Sequence, residues 1–435
     1  MTAIARAAAP SATRSQSRLT VDGGQDRSRL SVVNDALDRA WSKGWLSRPS
    51  LDPEVLLARA RAKTGLDDMS AGAGASAYAG AGADSGWRGR LDLLSAALHD
   101  EAALTPLGLT IAQGQLVSAL ANRLRAEALW RRHPEVLDQR IEAPIIVLGQ
   151  MRSGSTRMQR LLACDPRFRF TRFFESWNPV PGNGSARFVD DRRLRGWAAL
   201  SCASLLSPEF GVLHPTGVAQ PDEETGLHNI SIFGAAIEAQ WRVPSFARHG
   251  EAIDTRPVYA EFKRLLQTVA WFRRGERPRP WVMKMPQLTQ DLDAMLAVFP
   301  DARLICLERP AAALVASSAS LAESQMRLQS DRVDPHWIGR EWLRKVTLRH
   351  HRSQAARARA AVPQIDISYD AMNRDWRGEM RRAYAMLGLS LPGDVEARMA
   401  RYLARPKHRK LAAHRYDLAD YGLSADDVAG AFDAS

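Results

Sequence analysis

The segment Gly149-Gln-Met-Arg-Ser-Gly-Ser-Thr156 has the composition of an anion-binding loop. It lies between a short apolar run and a helix-like stretch, where its glycines allow a tight turn and a close approach to a ligand. The N–H groups of such a loop, and of the helix that follows, bind anions. The spacing is that of a Walker A loop, but Ser155 stands where the lysine should be. Arg152 supplies the positive charge instead, so the loop is poorly equipped for a magnesium–nucleoside triphosphate.

Two further cations follow short apolar segments. Lys284 comes directly after Trp281-Val-Met283, and Arg309 comes shortly after Leu304-Ile-Cys-Leu307. If these segments are parallel strands beside the strand that precedes the loop, both cations share one sheet edge with Arg152. Three cations there would suit a ligand with two separated phosphate groups. For Lys284 or Arg309 taken alone, the alternative is a solvent-exposed strand end.

The elements that must position these residues follow from the apolar pattern. Short strand-like segments occur at residues 144–148, 281–283, 304–307 and 364–369, and helical patterns lie between them. Strands that alternate with helices indicate a parallel sheet with covered faces, which binds ligands at the carboxyl ends of its strands. The expected fold class is therefore α/β, with a P-loop-like parallel sheet flanked by helices.

The chain divides into three parts. Residues 1–30 are expected to form a disordered tail, because they are rich in Arg, Ser and Ala. Residues 31–140 show helical patterning, with a Gly/Ala-rich loop at 69–86, and form either a structural cap or part of an acceptor pocket. Residues 141–435 are expected to form the α/β domain.

Composition narrows the class of partner. The 435 residues carry a formal net charge of +12, which favours anionic partners such as nucleotides, nucleic acid or acidic lipid.

The three cysteines are far apart and lack metal-ligand spacing, which predicts no zinc site and a reduced cytoplasmic setting. No apolar segment is long enough to predict a transmembrane helix.

In combination, these motifs resemble the sulfotransferases that use 3′-phosphoadenosine 5′-phosphosulfate (PAPS), in particular a long bacterial branch related to tyrosylprotein sulfotransferases. The resemblance covers about residues 51–430 and is stronger from Ile141 onward. The matching segments are Met151-Arg-Ser-Gly-Ser-Thr156, Met283-Lys-Met-Pro286, Arg309 with Ser317, Phe174-Glu-Ser-Trp-Asn-Pro-Val-Pro181, Pro221-Asp-Glu-Glu224, His414-Arg-Tyr416 and Tyr421-Gly-Leu423.

The resemblance implies a donor site in two parts and no metal. PAPS would be the donor cosubstrate, and the 3′,5′-bisphosphate PAP would be the product. Arg309 and Ser317 would hold the 3′-phosphate. The 5′-phosphosulfate would be held by Arg152, Ser153, Gly154, Ser155 and Thr156.

The resemblance also implies catalytic roles. Arg152 and Lys284 would stabilise negative charge as the sulfuryl group leaves, because such transfer depends on positioning and on cations placed where charge develops. Glu175 would act as the base toward the acceptor hydroxyl. Glu175 could instead pair with an arginine or cap a helix. The other candidate bases are His214, Glu223, Glu224 and His228.

Sulfuryl transfer to a small or lipid-like hydroxyl acceptor is the function that the sequence favours. One alternative is a P-loop phosphotransferase related to nucleotide kinases, although the missing Walker lysine counts against it. Another is a non-catalytic polyanion-binding protein with the same fold. The basic segment from Arg340 to Arg359 indicates a solvated helix face rather than a specific nucleic-acid site.

Overall fold

A parallel five-stranded sheet forms the centre of the computed structural model, which describes residues 23–67, 86–182, 190–207, 216–273, 275–405 and 417–433. The strand order is β2-β3-β1-β4-β5, and all four pairings are parallel. The expected α/β fold is confirmed. The strands are β1 Ile145–Leu148, β2 Arg169–Phe170, β3 Trp281–Met283, β4 Arg303–Glu308 and β5 Gln364–Ser368.

Helices surround this sheet in the described ranges. The α-helices are α1 Gly23–Ser42, α2 Pro53–Thr64, α3 Gly86–Asp100, α4 Pro106–Arg132, α5 Ser155–Leu162, α6 Phe173–Trp177, α7 Asp191–Leu206, α8 Thr225–Ile230, α9 Ala235–Gln240, α10 Pro244–Ala252, α11 Arg256–Trp271, α12 Leu292–Val298, α13 Ala311–Gln329, α14 Pro335–Arg359, α15 Tyr369–Arg374, α16 Trp376–Met386, α17 Gly393–Leu403 and α18 Ala425–Asp433. Short 3₁₀ helices lie at Pro134–Asp138, Pro286–Thr289 and Leu418–Tyr421.

Both faces of the sheet are covered, which explains the continuous apolar sequence of β1. Ile146 and Leu148 point into one apolar core, formed mainly with α11 and α12. Ile145 and Val147 point into a second core, formed with α5, α16 and α17. Successive strand residues face opposite sides, so a strand between two helical layers must be apolar at every position.

The N-terminal region is helical, as expected, and packs on the rest of the chain. Asp52 caps α2 by accepting the N–H groups of Glu54 and Val55 at 2.9 and 3.1 Å. The first helix begins at Gly23, so residues 23–30 are helical where a disordered tail was expected. Residues 1–22 and nearly all of the Gly/Ala-rich loop lie outside the described residues.

Two details of the sheet differ from the sequence expectation. The two-residue edge strand β2 was missed, because a strand this short has no apolar pattern of its own. The helix expected after β3 is divided into the 3₁₀ helix Pro286–Thr289 and α12.

No helix in the described ranges has the length and apolar character needed to cross a bilayer.

The basic helix α14 is only partly solvated. Lys345 is buried and pairs with Glu238 at 2.7 Å and Glu251 at 3.2 Å, and Arg349 is buried against Glu238 at 3.1 Å. Several of its charges therefore pair with carboxylates inside the protein, which corrects the expectation of a solvated basic face and leaves fewer cations for a polyanion.

Candidate active site

The loop between β1 and α5 has the backbone shape of an anion-binding site. Arg152 and Gly154 adopt left-handed conformations, with φ of +69° and +92°. The Ser153 N–H donates to the Gln150 carbonyl at 3.1 Å, which closes the turn. A Cβ at position 149 would overlap the Ser153 Oγ and lie 3.2 Å from the Leu307 Cβ, so a larger residue there would require these side chains to shift. Left-handed residues in such a turn direct successive N–H groups toward one point, at the N-terminus of α5.

Three predicted donor-site residues meet beside this loop. The Arg152 Nε donates to the Ser317 Oγ at 3.1 Å. The Arg309 Nη1 donates to the Arg152 carbonyl oxygen at 2.6 Å. Ser317 comes from α13, and Arg309 follows β4. The structure therefore joins the loop to the residues expected to bind the 3′-phosphate.

Lys284 lies on the other side of the loop, just past the end of β3. Its ammonium group donates to the Thr156 Oγ1 at 3.0 Å and forms an ion pair with Glu223. Its backbone N–H donates to the Glu224 Oε2 at 2.8 Å. Only 2% of the Lys284 side chain is exposed, so water screens the charge of its ammonium group only weakly. The predicted convergence of Arg152, Lys284 and Arg309 at the carboxyl ends of neighbouring strands is observed.

Glu175 lies apart from this group. It is buried on α6, where both carboxylate oxygens face the guanidinium of Arg273. It also accepts the backbone N–H of Arg172 at 2.9 Å and so caps α6. Among the described residues that line the cavity at the loop, Glu223 is present and Glu175 is not. The structure thus gives Glu175 the arginine pairing and the helix cap that the sequence left open.

Glu223 is the candidate base that the structure brings to the loop. Its carboxylate contacts Lys284, its side chain is 17% exposed, and it lines the cavity. Its backbone carbonyl accepts the Ser176 Oγ hydrogen bond at 2.7 Å, which fixes the segment.

Two of the other candidate bases, Glu224 and His228, are not among the described residues that line the cavity. Glu224 is fully buried, and burial raises its pKa to about 8. Its role is to hold the backbone of Lys284. His228 packs between the rings of Tyr259 and Phe262, at 5.0 and 5.1 Å between centroids, and burial lowers its pKa to about 3. His214 lies outside the described residues.

Tyr369 is a site residue that the sequence analysis missed. Its ring lies 4.6 Å from the Arg309 guanidinium and 5.3 Å from that of Arg157. A Cβ at Gly154 would be 3.1 Å from the same ring. The signal was available, because Tyr369 directly follows β5 and so lies at the sheet edge that carries the three cations.

One cavity of about 1210 Å³ contains the loop and extends between the helices. Arg152, Thr156 and Glu223 line it at the loop, and α4, α7 and α13 supply much of the remaining wall. This volume exceeds the roughly 300–1,000 Å³ that is common for a site holding one small ligand. The cavity therefore has room for a donor and an acceptor together. In the described ranges, no three His, Cys, Asp or Glu side chains are grouped to hold a metal ion.

Comparison with known proteins gives consistent results. A model described as the sulfotransferase family matches residues 144–393. The crystal structure of sulfotransferase STF1 from Mycobacterium tuberculosis H37Rv is similar, with 27% identity, a TM-score of 0.72, and coverage of 88% of this chain and 98% of that chain. Sulfotransferase STF9 from Mycobacterium avium matches at 27% identity and a TM-score of 0.74, over 88% of this chain and 95% of that one. Comparison with curated proteins gave no match.

Proposed function

Because the chain belongs to the sulfotransferase family, we propose that it transfers a sulfuryl group from PAPS to the hydroxyl of a small or lipid-like acceptor. The observation that carries the proposal is the meeting of Arg152, Arg309 and Lys284 around one loop at the carboxyl ends of β1, β4 and β3. Two separated anionic groups on one ligand would match this pattern of charge.

The loop is suited to the 5′-phosphosulfate. Its turn can present backbone N–H groups, and Arg152 and Thr156 add side-chain donors on the cavity side. The buried Ser153 Oγ has no hydrogen-bond partner among the described residues, which leaves it available to an anion. Arg309 and Ser317 would bind the 3′-phosphate, because both contact Arg152 beside the loop.

The reaction is an in-line transfer at sulfur. The acceptor oxygen forms a bond to sulfur as the bond from sulfur to the bridging phosphate oxygen breaks, and the electron pair of that bond leaves with PAP. Lys284 and Arg152 neutralise the charge that develops on the departing phosphate. The acceptor hydroxyl gives its proton to a carboxylate base.

We assign the base role to Glu223 instead of Glu175. Glu223 contacts Lys284 and lines the cavity, so an acceptor hydroxyl there would lie close to both groups. The lone pairs of Glu175 are engaged by Arg273 and by the Arg172 N–H, in a place that an acceptor does not reach. A base must come within hydrogen-bond reach of the proton that it removes.

The cavity wall supports an acceptor with substantial apolar surface. Phe173, Trp177, Leu206 and Leu321 are among its lining residues.

A cytoplasmic location stays a prediction, based on three free cysteines.

Calorimetric titration with PAP tests the donor site without knowledge of the acceptor. We expect binding without magnesium, weakened on the order of tenfold or more in Arg152→Ala and in Arg309→Ala. Arg140→Ala is the matched control, because Arg140 is exposed, pairs with Glu142 and is not among the described residues that line the cavity. Its binding should equal that of the wild type.

Failure of folded wild-type protein to bind PAP would contradict the proposal. Tight magnesium-dependent ATP binding would then favour a phosphotransferase. Steeply salt-dependent binding to heparin or nucleic acid, without turnover, would favour a polyanion-binding protein.

A further inference from the structure

One wall of the cavity is polar but carries no charge. The helices α4, α9 and α13 form this wall, and none of the described residues that they contribute to the cavity lining is charged. Its polar side chains, which we call the amide wall, are amides and one hydroxyl: Gln115, Ser118, Asn122, Gln240, Gln325 and Gln329. The donor-site contacts described above use none of them.

Hydrogen bonds fix the orientation of Gln115 within the amide wall. The Gln240 Nε2 donates to the Ala236 carbonyl at 3.1 Å, so the Gln240 Oε1 is the acceptor atom on the other side of that amide. The Gln115 Nε2 donates to this Oε1 at 2.8 Å. Turning either amide over would place like atoms against each other. The Gln115 Oε1 forms no hydrogen bond with the described residues and is not enclosed by them, so it is open to a donor from a ligand.

The amide wall reaches the part of the cavity that contains Glu223. The Asn122 Nδ2 donates to the Trp177 carbonyl at 2.9 Å, and the preceding residue, Ser176, donates to the Glu223 carbonyl at 2.7 Å. Gln115 lies on the same face of α4 as Asn122, about 10 Å further along the helix axis. Glu223 and Gln115 line the same cavity. One elongated molecule can therefore reach both residues.

We propose that the acceptor is an uncharged diol or polyol, in which one hydroxyl faces Glu223 and a second hydroxyl donates to the Gln115 Oε1. The inference rests on the proposed function, since it concerns the acceptor of the same site. An alcohol without the second hydroxyl displaces water from Gln115 without replacing its hydrogen bond. A charged group at the same place is desolvated without an opposite charge from the three helices. The amide wall thus selects a neutral hydroxyl.

Matched probes test the second hydroxyl. We would titrate PAP-loaded protein by calorimetry with α,ω-alkanediols of increasing length and with the primary alcohols of equal length, in which CH₃ replaces the second CH₂OH. At the length that binds best, the diol should bind about tenfold more tightly than its alcohol. The ω-hydroxy acid of that length, which has a carboxylate at the same end, should bind more weakly than the diol.

Three variants locate the preference for the diol. Gln115→Leu removes the acceptor oxygen at nearly constant size and should abolish the preference. Gln240→Leu leaves Gln115 in place but removes the atom that orients it, so the preference should fall. Gln354→Leu makes the same change at an exposed position of α14 that is not among the described lining residues, and should retain the preference. PAP should bind equally to all three, because the donor site is unchanged.

The possible results separate this inference from the proposed function. A diol that binds wild-type protein no better than its alcohol at any length overturns the inference, as does tighter binding of the hydroxy acid or a preference that survives Gln115→Leu. If PAP does not bind, the titrations are made on unloaded protein, and a preference that depends on Gln115 would support the diol subsite while the proposed donor fails. Transfer from PAPS to diols and alcohols with equal kcat/KM would support the proposed function and refute the subsite.

Discussion

Replacing Glu175 with glutamine should destabilise the fold while leaving donor binding intact. The side chains of Glu175 and Arg273 are only 1% and 6% exposed, and the pair is held by two guanidinium contacts. Glu175→Gln keeps the shape but removes the negative charge, so the Arg273 cation stays buried without a charged partner. Breaking a buried pair in this way costs about 3–5 kcal/mol in the free energy of unfolding.

Urea denaturation measures this change, from the shift in midpoint at constant slope. The control is Glu142→Gln, which breaks the exposed pair of Glu142 with Arg140 and should cost no more than about 1 kcal/mol. Calorimetry with PAP should give the wild-type affinity in folded Glu175→Gln protein. Wild-type stability combined with a fall in turnover of about 10²–10⁴-fold would refute the reasoning and return Glu175 to the role of base.

Two other predictions concern the acidic pair beside Lys284. Glu223→Gln should lower kcat by about 10²–10⁴-fold, with a hydroxyl acceptor found by screening with PAPS, because it removes the proposed base; an unchanged kcat would contradict that role. Burial raises the pKa of Glu224 from 4.5 to about 8, so the folded protein retains a proton that the unfolded chain loses. Stability from this group is full below about pH 4.5 and is lost as the pH rises to about 8. Urea denaturation at several pH values should show a smaller loss over this window in Glu224→Gln than in the wild type; equal losses would contradict the shift.

Most of the donor end of the site could be predicted from the sequence, because its geometry is set by local rules. A loop between a buried strand and a helix has a fixed relation to the sheet edge, so Lys284 and Arg309 could be placed once their strands were recognised. The sulfotransferase family was identified correctly from the same residues. The relation to tyrosylprotein sulfotransferases and the individual roles of the donor-site residues stay predictions.

The base could not be chosen from the sequence, because the choice depends on contacts between distant segments. Glu175 is withdrawn from the cavity by Arg273, which lies 98 positions further along the chain. Glu223 reaches Lys284 across 61 positions. Neither pairing has a local spacing pattern, so carboxylates that look equivalent in the sequence have different environments in the fold.

We expect sequence changes in the helical N-terminal region to alter the choice of acceptor most readily. The family match begins at residue 144, yet α4 lines the cavity through residues such as Ile111 and Asn122, and α2 contributes Lys63. The region is therefore part of the cavity wall as well as a cover for the domain. Sulfuryl transfer requires the loop and its cations to keep one geometry, whereas the opposite wall only has to fit a particular alcohol. If the proposed function holds, we expect substitutions in α2 and α4 to change the acceptor without disturbing the donor chemistry.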